Sequence, residues 1–161
     1  MIERWMNAQT ADQKTLAFLQ NLFVLIAAFG FVFYGIEHWV IEHSELASWQ
    51  SRIPLYVSVA GAPLAIAMFF TTHKALRYPF LAVMAISVLT GIAGALFHLF
   101  WNAGDLGVSV FSISGFIESM QVPYRPVLAG LAHTHVGAVG LIVGLTVTVK
   151  DGPTAPQGGT S

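Results

Sequence analysis

The chain contains no cysteine. Disulfides, thiolate metal sites, iron–sulfur clusters and covalent c-type haem attachment all need that residue, so each is excluded. Charge is nearly as scarce: Asp, Glu, Lys and Arg make up 9% of the 161 residues and the net charge is −1. Without a basic surplus there is no electrostatic footprint for a nucleic-acid partner. Catalytic signatures are missing too. There is no Walker loop, dinucleotide fingerprint, Gly-x-Ser-x-Gly elbow or HExxH motif, and His133-Thr134-His135 is no substitute because its two-residue spacing sets the rings on opposite sides of a helix. A stand-alone enzyme is therefore not expected; at most the chain is a redox subunit of a larger oxidoreductase complex.

What fills the chain is apolar sequence, 55% of all residues. Residues 15–36, 53–72, 79–101 and 126–149 contain no Asp, Glu, Lys or Arg. A helix needs about 20 apolar residues to cross the hydrocarbon core of a bilayer. The four runs predict an all-α integral membrane protein, with four transmembrane helices in an up-down bundle forming a single domain over residues 1–149. A membrane barrel would instead show alternating polarity. The first run is too long for a signal-peptide core, so the first helix is expected to be retained. Residues 150–161 have too little apolar character to pack and are predicted to be a disordered cytoplasmic tail. No internal repeat is visible.

Proline marks the boundaries. Pro54, Pro79 and Pro126 stand where helices two, three and four should begin, a position at which the missing N–H costs nothing. Ser51 is a candidate N-cap for the second helix, and Pro63 inside that helix should kink it. Arg4, Lys14, Lys74, Arg77 and Lys150 fall on one side of the predicted spans, and only Arg52 and Arg125 on the other. The positive-inside rule then predicts an N-in, C-in orientation, in a bacterial inner membrane. Trp39, Trp49, Trp101 and Tyr124 would line the outer interface, Trp5 and Tyr78 the inner one, and His73 a cytoplasmic loop. The outer loop before the last helix includes VSVFSISGFIESM, apolar enough to lie in the interface or to pack on a partner, as one or two helical turns or a short strand.

Five of the six histidines collect toward the outer side: His38, His43, His98, His133 and His135. Ionisable side chains in membrane spans are functional-site candidates because hydrocarbon cannot solvate them. Helical spacing puts Gly91, Gly94 and His98 on one face, Gly130, His133, Gly137, Gly140 and Gly144 on another, and Gly30, Tyr34 and His38 on a third. A glycine-lined face bearing histidine suits a flat macrocycle, with imidazole as axial ligand. In architecture alone the layout resembles four-helix membrane b-type cytochromes. The cofactor-binding candidates are His38, His98 and His133, with haem b the first expectation.

Three alternatives stand beside haem b. Copper or zinc would take imidazoles from His38, His98, His133 and His135, with Glu42 as a carboxylate. A chlorophyll-type pigment needs a single axial histidine. With no cofactor, the glycines are packing devices and the histidines interface residues. His38 and Glu42 stand four apart, so the carboxylate either orients the imidazole or belongs to a solvated acidic helix end with His43 and Glu45. His133 and His135 lie about 10 and 13 Å past Pro126 and about 200° apart around the axis, so they cannot face one point. The glycine face favours His133 as the inward one. Gln20 and Asn21 are predicted to make interhelical hydrogen bonds, and Met6, Met68, Met84 and Met120 show no copper-handling cluster.

The functional expectation is a small membrane subunit that holds a His-ligated cofactor near the outer face and passes electrons between quinol and an outer-side partner. The alternative is a non-catalytic accessory subunit of a larger respiratory or photosynthetic membrane complex, or a homo-oligomer, with its histidines as interface, metal or pigment contacts. A transporter fits less well, because the spans carry no midplane charge and only Pro63 as a break.

Overall fold

A computed structural model describes residues 2–42, 52–123, 125 and 127–147. The described residues form six helices and no β-strand: α1 (Ile2–Met6), α2 (Ala11–Glu42), α3 (Ile53–Phe70), α4 (Lys74–Leu106), α5 (Ile113–Met120) and α6 (Val127–Thr146). Four of them, α2, α3, α4 and α6, are long and apolar enough to cross a membrane. Ser51, His43, Glu45, Trp49, Tyr124, Pro126 and the tail from residue 148 lie outside the described residues.

Local chemistry explains the helix ends. Thr10 and Gln13 form a capping box at the start of α2: the Gln13 N–H donates to Thr10 Oγ1 (3.2 Å) and the Thr10 N–H to Gln13 Oε1 (3.3 Å). Pro54 sits in the first turn of α3 and Pro63 inside that helix. Helix α4 starts earlier than Pro79 predicts. Its N-cap is His73, whose Nδ1 accepts the Ala75 N–H (3.2 Å), so His73 belongs to a helix start rather than an open loop. Pro79 falls in the second turn, where its absent N–H gives up one intrahelical bond. Gly107 closes α4 with φ of 66°, a left-handed conformation that glycine adopts without a Cβ clash. In the following segment Ser112 Oγ accepts the Gly115 N–H (3.1 Å) and starts α5, so this stretch is a helix and not a strand.

Helices α4 and α6 pack most extensively. Glycine makes that approach: a Cβ on Gly130 would stand 2.5 Å from the Ala95 nitrogen, and one on Gly137 2.5 Å from the Met84 carbonyl oxygen. The contacts run in opposite order along the two helices, so the pair is antiparallel. Gly61 meets Phe31 and Gly35 meets Ser58 between α2 and α3, and Gly30 meets Val136 between α2 and α6. Val24, Phe31, Met68, Phe80, Met84 and Val143 form the centre of the core. At one end Gln20 links Arg4 (2.9 Å) to Thr146 Oγ1 (3.2 Å), the interhelical role predicted for it. Arg77 Nε donates to the Gly144 carbonyl (2.8 Å) in the last turn of α6, where a cation complements the helix dipole. The other end, which carries Trp39 and Trp101, is the histidine end.

Only 28–39% of each span is fully buried within the protein. Phe29, Phe33, Leu89, Phe97 and Leu145 are among the exposed large apolar side chains. Water would not tolerate such continuous apolar cover, whereas a bilayer matches it.

Candidate functional site

Side chains on a helix tilt toward its N-terminus. Because α2 and α6 run in opposite directions, His38 leans back into the bundle and His133 leans out toward it. The two imidazoles meet with ring centroids 5.3 Å apart at 71°. The Tyr34 ring, one turn below His38, stands 5.5 Å from His133 at 39°. The cluster lies just beyond Phe31 and Val136, at the histidine end of the apolar core.

The two histidines are bonded differently. His38 Nδ1 lies 2.8 Å from the Tyr34 carbonyl oxygen. A carbonyl only accepts, so Nδ1 carries the proton and Nε2 keeps a lone pair. His133 is 3% exposed, and neither of its ring nitrogens has a hydrogen-bond partner among the described residues. An unpaired polar group in such a place costs about 1–3 kcal/mol. Its backbone, by contrast, is clamped to α4: Ser87 Oγ donates to the His133 carbonyl (2.8 Å), and Thr134 Oγ1 donates to the Val88 carbonyl (3.4 Å). The clamp holds the imidazole at a fixed height beside His38.

The remaining candidates fall elsewhere. His135 is exposed and turns its Nδ1 to the Leu131 carbonyl (3.0 Å), so the inward histidine is the one on the glycine face. His98 is half-buried on the α4 face that carries Gly91 and Gly94. Gly94 packs on Gly130, which puts His98 and His133 about 10 Å apart along the bundle axis at 1.5 Å per residue. Glu42 is in the last turn of α2, and its side chain is outside the described residues. Among the described residues no three His, Asp or Glu side chains come together as a metal-holding group.

The glycine faces are occupied by protein. Gly91 packs on Thr134, Gly130 on Ala95, Gly137 on Met84 and Val88, and Gly144 on Leu81. A hollow of about 340 Å³ opens sideways between α2 and α3, lined by Phe31, Gly35, Trp39, Leu55, Ser58 and Ala62 among others, and among the described residues no histidine borders it. Sequence reasoning found His38, Tyr34 and His133 from their spacing but missed Ser87 and Asn102. A small polar residue inside an apolar run was the available signal. Compared with known proteins, the chain matches no family profile, no curated protein and no solved structure.

Proposed function

We propose that the chain is a small integral-membrane subunit that holds a single metal ion of the copper or zinc class between His38 and His133. The observation that carries this reading is the His133 imidazole: buried, clamped by its backbone, without a hydrogen-bond partner at either nitrogen among the described residues, and facing a second imidazole. Metal–nitrogen bonds of about 2 Å bring two imidazoles on a tetrahedral ion to a centroid separation of about 5 Å, close to the separation present here. The His38 Nδ1–H bond to a carbonyl is the support a metal-binding histidine ordinarily has, and it leaves Nε2 as the donor. Solvent or substrate completes the coordination.

Haem b fits this packing poorly, since the glycine faces that suggested it are filled by neighbouring helices. With copper, the subunit would pass electrons between quinol and a partner at the histidine end. The arrangement in the membrane that goes with this reading is an up-down bundle with both termini inside, in a bacterial cytoplasmic membrane. The histidine end then faces the periplasm, supported by the bias of Arg4, Lys14, Lys74 and Arg77 to the other side.

The test is metal analysis of the full chain purified in mild detergent, with a reduced-minus-oxidised spectrum on the same sample. Copper or zinc near one equivalent, lost in His38→Ala and His133→Leu and kept in His135→Ala, is the expected result. Iron with a sharp reduced α-band would restore haem b. A metal-free, colourless chain that co-purifies with other membrane proteins would instead favour an accessory subunit.

A further inference from the structure

Helix α5 wears its apolar residues on the outside. Ile113, Phe116 and Ile117 share one face at helical spacing, and Gly115 and Ser119 share the opposite one. The small face is the seat. Gly115 and Ser119 are buried, and Asn102 Nδ2 donates to the carbonyls of Ser119 (2.9 Å) and Arg125 (3.0 Å). Ile113 is 84% exposed, the preceding Phe111 92%, and Phe116 and Ile117 are exposed as well. A surface helix in water turns the other way, apolar face inward.

Two contacts fix how α5 lies. Phe111, just ahead of it, packs on Phe100 of α4 with ring centroids 6.5 Å apart, and Ser119 near its end reaches Asn102. Those points on α4 differ by about 3 Å of rise, whereas eight residues of helix extend about 12 Å, so α5 lies across α4 and not along it. Phe100 is itself exposed on the α4 span. The apolar face of α5 is therefore continuous with the lipid-facing surface of the bundle. At the same level Arg125 pairs with Asp105 and stacks over Trp101 (4.3 Å), the polar and aromatic mixture of a membrane boundary.

We infer that α5 is a membrane-surface helix whose occupant is lipid: its apolar face seats at the boundary between headgroups and acyl chains of the leaflet at the histidine end. Residues 102–125 carry only Asp105, Glu118 and Arg125 as charges, so apolar burial and not attraction to anionic lipid drives the seating.

The cysteine-free chain allows a direct test. Ile113→Cys, Phe116→Cys, Ile117→Cys and Ser114→Cys each receive a nitroxide label, and the full chain is reconstituted in phosphatidylcholine vesicles. Collision rates with oxygen and with a water-soluble nickel chelate are then compared. The oxygen-to-nickel ratio should be several-fold higher at the first three positions than at Ser114, and unchanged when phosphatidylglycerol replaces part of the lipid. Equal ratios at all four positions would place α5 in water, and shielding of the first three from both reagents would mean a protein contact; either overturns the inference. A ratio that climbs with phosphatidylglycerol would overturn its apolar basis.

Discussion

Two buried polar residues at the histidine end, His133 and Asn102, differ in what their side-chain nitrogens bond. Asn102 is fully buried and gives its amide hydrogens to two carbonyls, Ser119 and Arg125, that hold the loop onto α4. Asn102→Leu strands both acceptors, so it should lower stability by about 1–3 kcal/mol and release α5. Loss of thermal stability in detergent, together with faster proteolysis within residues 107–123, would check this. His133→Leu removes an imidazole with no hydrogen-bond partner among the described residues, so in metal-stripped protein it should be neutral or stabilising by up to about 1 kcal/mol. Added copper or zinc should raise the melting temperature of the native chain, because a ligand that binds only the folded state adds stability by mass action. The same metal should leave His133→Leu unmoved. A fall in metal-free stability for His133→Leu would mean that the ring makes a structural bond of its own.

At the scale of helices, glycine decides which approaches are possible, and the glycines are not equivalent. Gly130→Ala and Gly137→Ala press a methyl group against α4 backbone, which cannot swing aside as a side chain can. Each should cost about 1–3 kcal/mol. Gly104 has open space around it near the end of α4, so Gly104→Ala should gain up to about 1 kcal/mol from helix propensity alone. Melting temperatures of the three variants should fall on opposite sides of the native value. The same residues show how far the sequence could be read. Uncharged runs of membrane length are a local signal, and all four spans were legible from it. A glycine stripe at helical spacing was legible as a face, but periodicity is silent on what the face meets, and here it packs on another helix. The start of α4 was misplaced because Lys74 and Arg77 read as loop; in the fold they are helical, and Arg77 reaches across to the end of α6. His38 and His133 were legible one at a time as ionisable groups in apolar surroundings. Their pairing depends on the register of α2 against α6, which is set by Gly30 on Val136, a contact between residues more than a hundred positions apart.

For the whole molecule, unequal helix lengths constrain its place in the bilayer. Helices α3 and α6, with 18 and 20 residues, are about 27 and 30 Å long and just match a hydrocarbon core of about 30 Å. Helix α4, with 33 residues, is about 50 Å long and must project. One projection carries Lys74 and Arg77, the other Asp105 beside Arg125 and the seat of α5. The basic residues Arg4 and Lys14 stand with Lys74 and Arg77, and in the proposed orientation that end is cytoplasmic and the imidazole pair lies in the opposite half of the membrane. Single cysteines read this out cleanly in a chain that has none of its own. Thr71→Cys and Gly104→Cys occupy exposed positions at the two ends. In intact cells a membrane-impermeant maleimide should label Gly104→Cys, and label Thr71→Cys only after permeabilisation. The reverse pattern would turn the bundle over, put α5 in the cytoplasmic leaflet and leave His38 and His133 facing donors and acceptors of the cytoplasm.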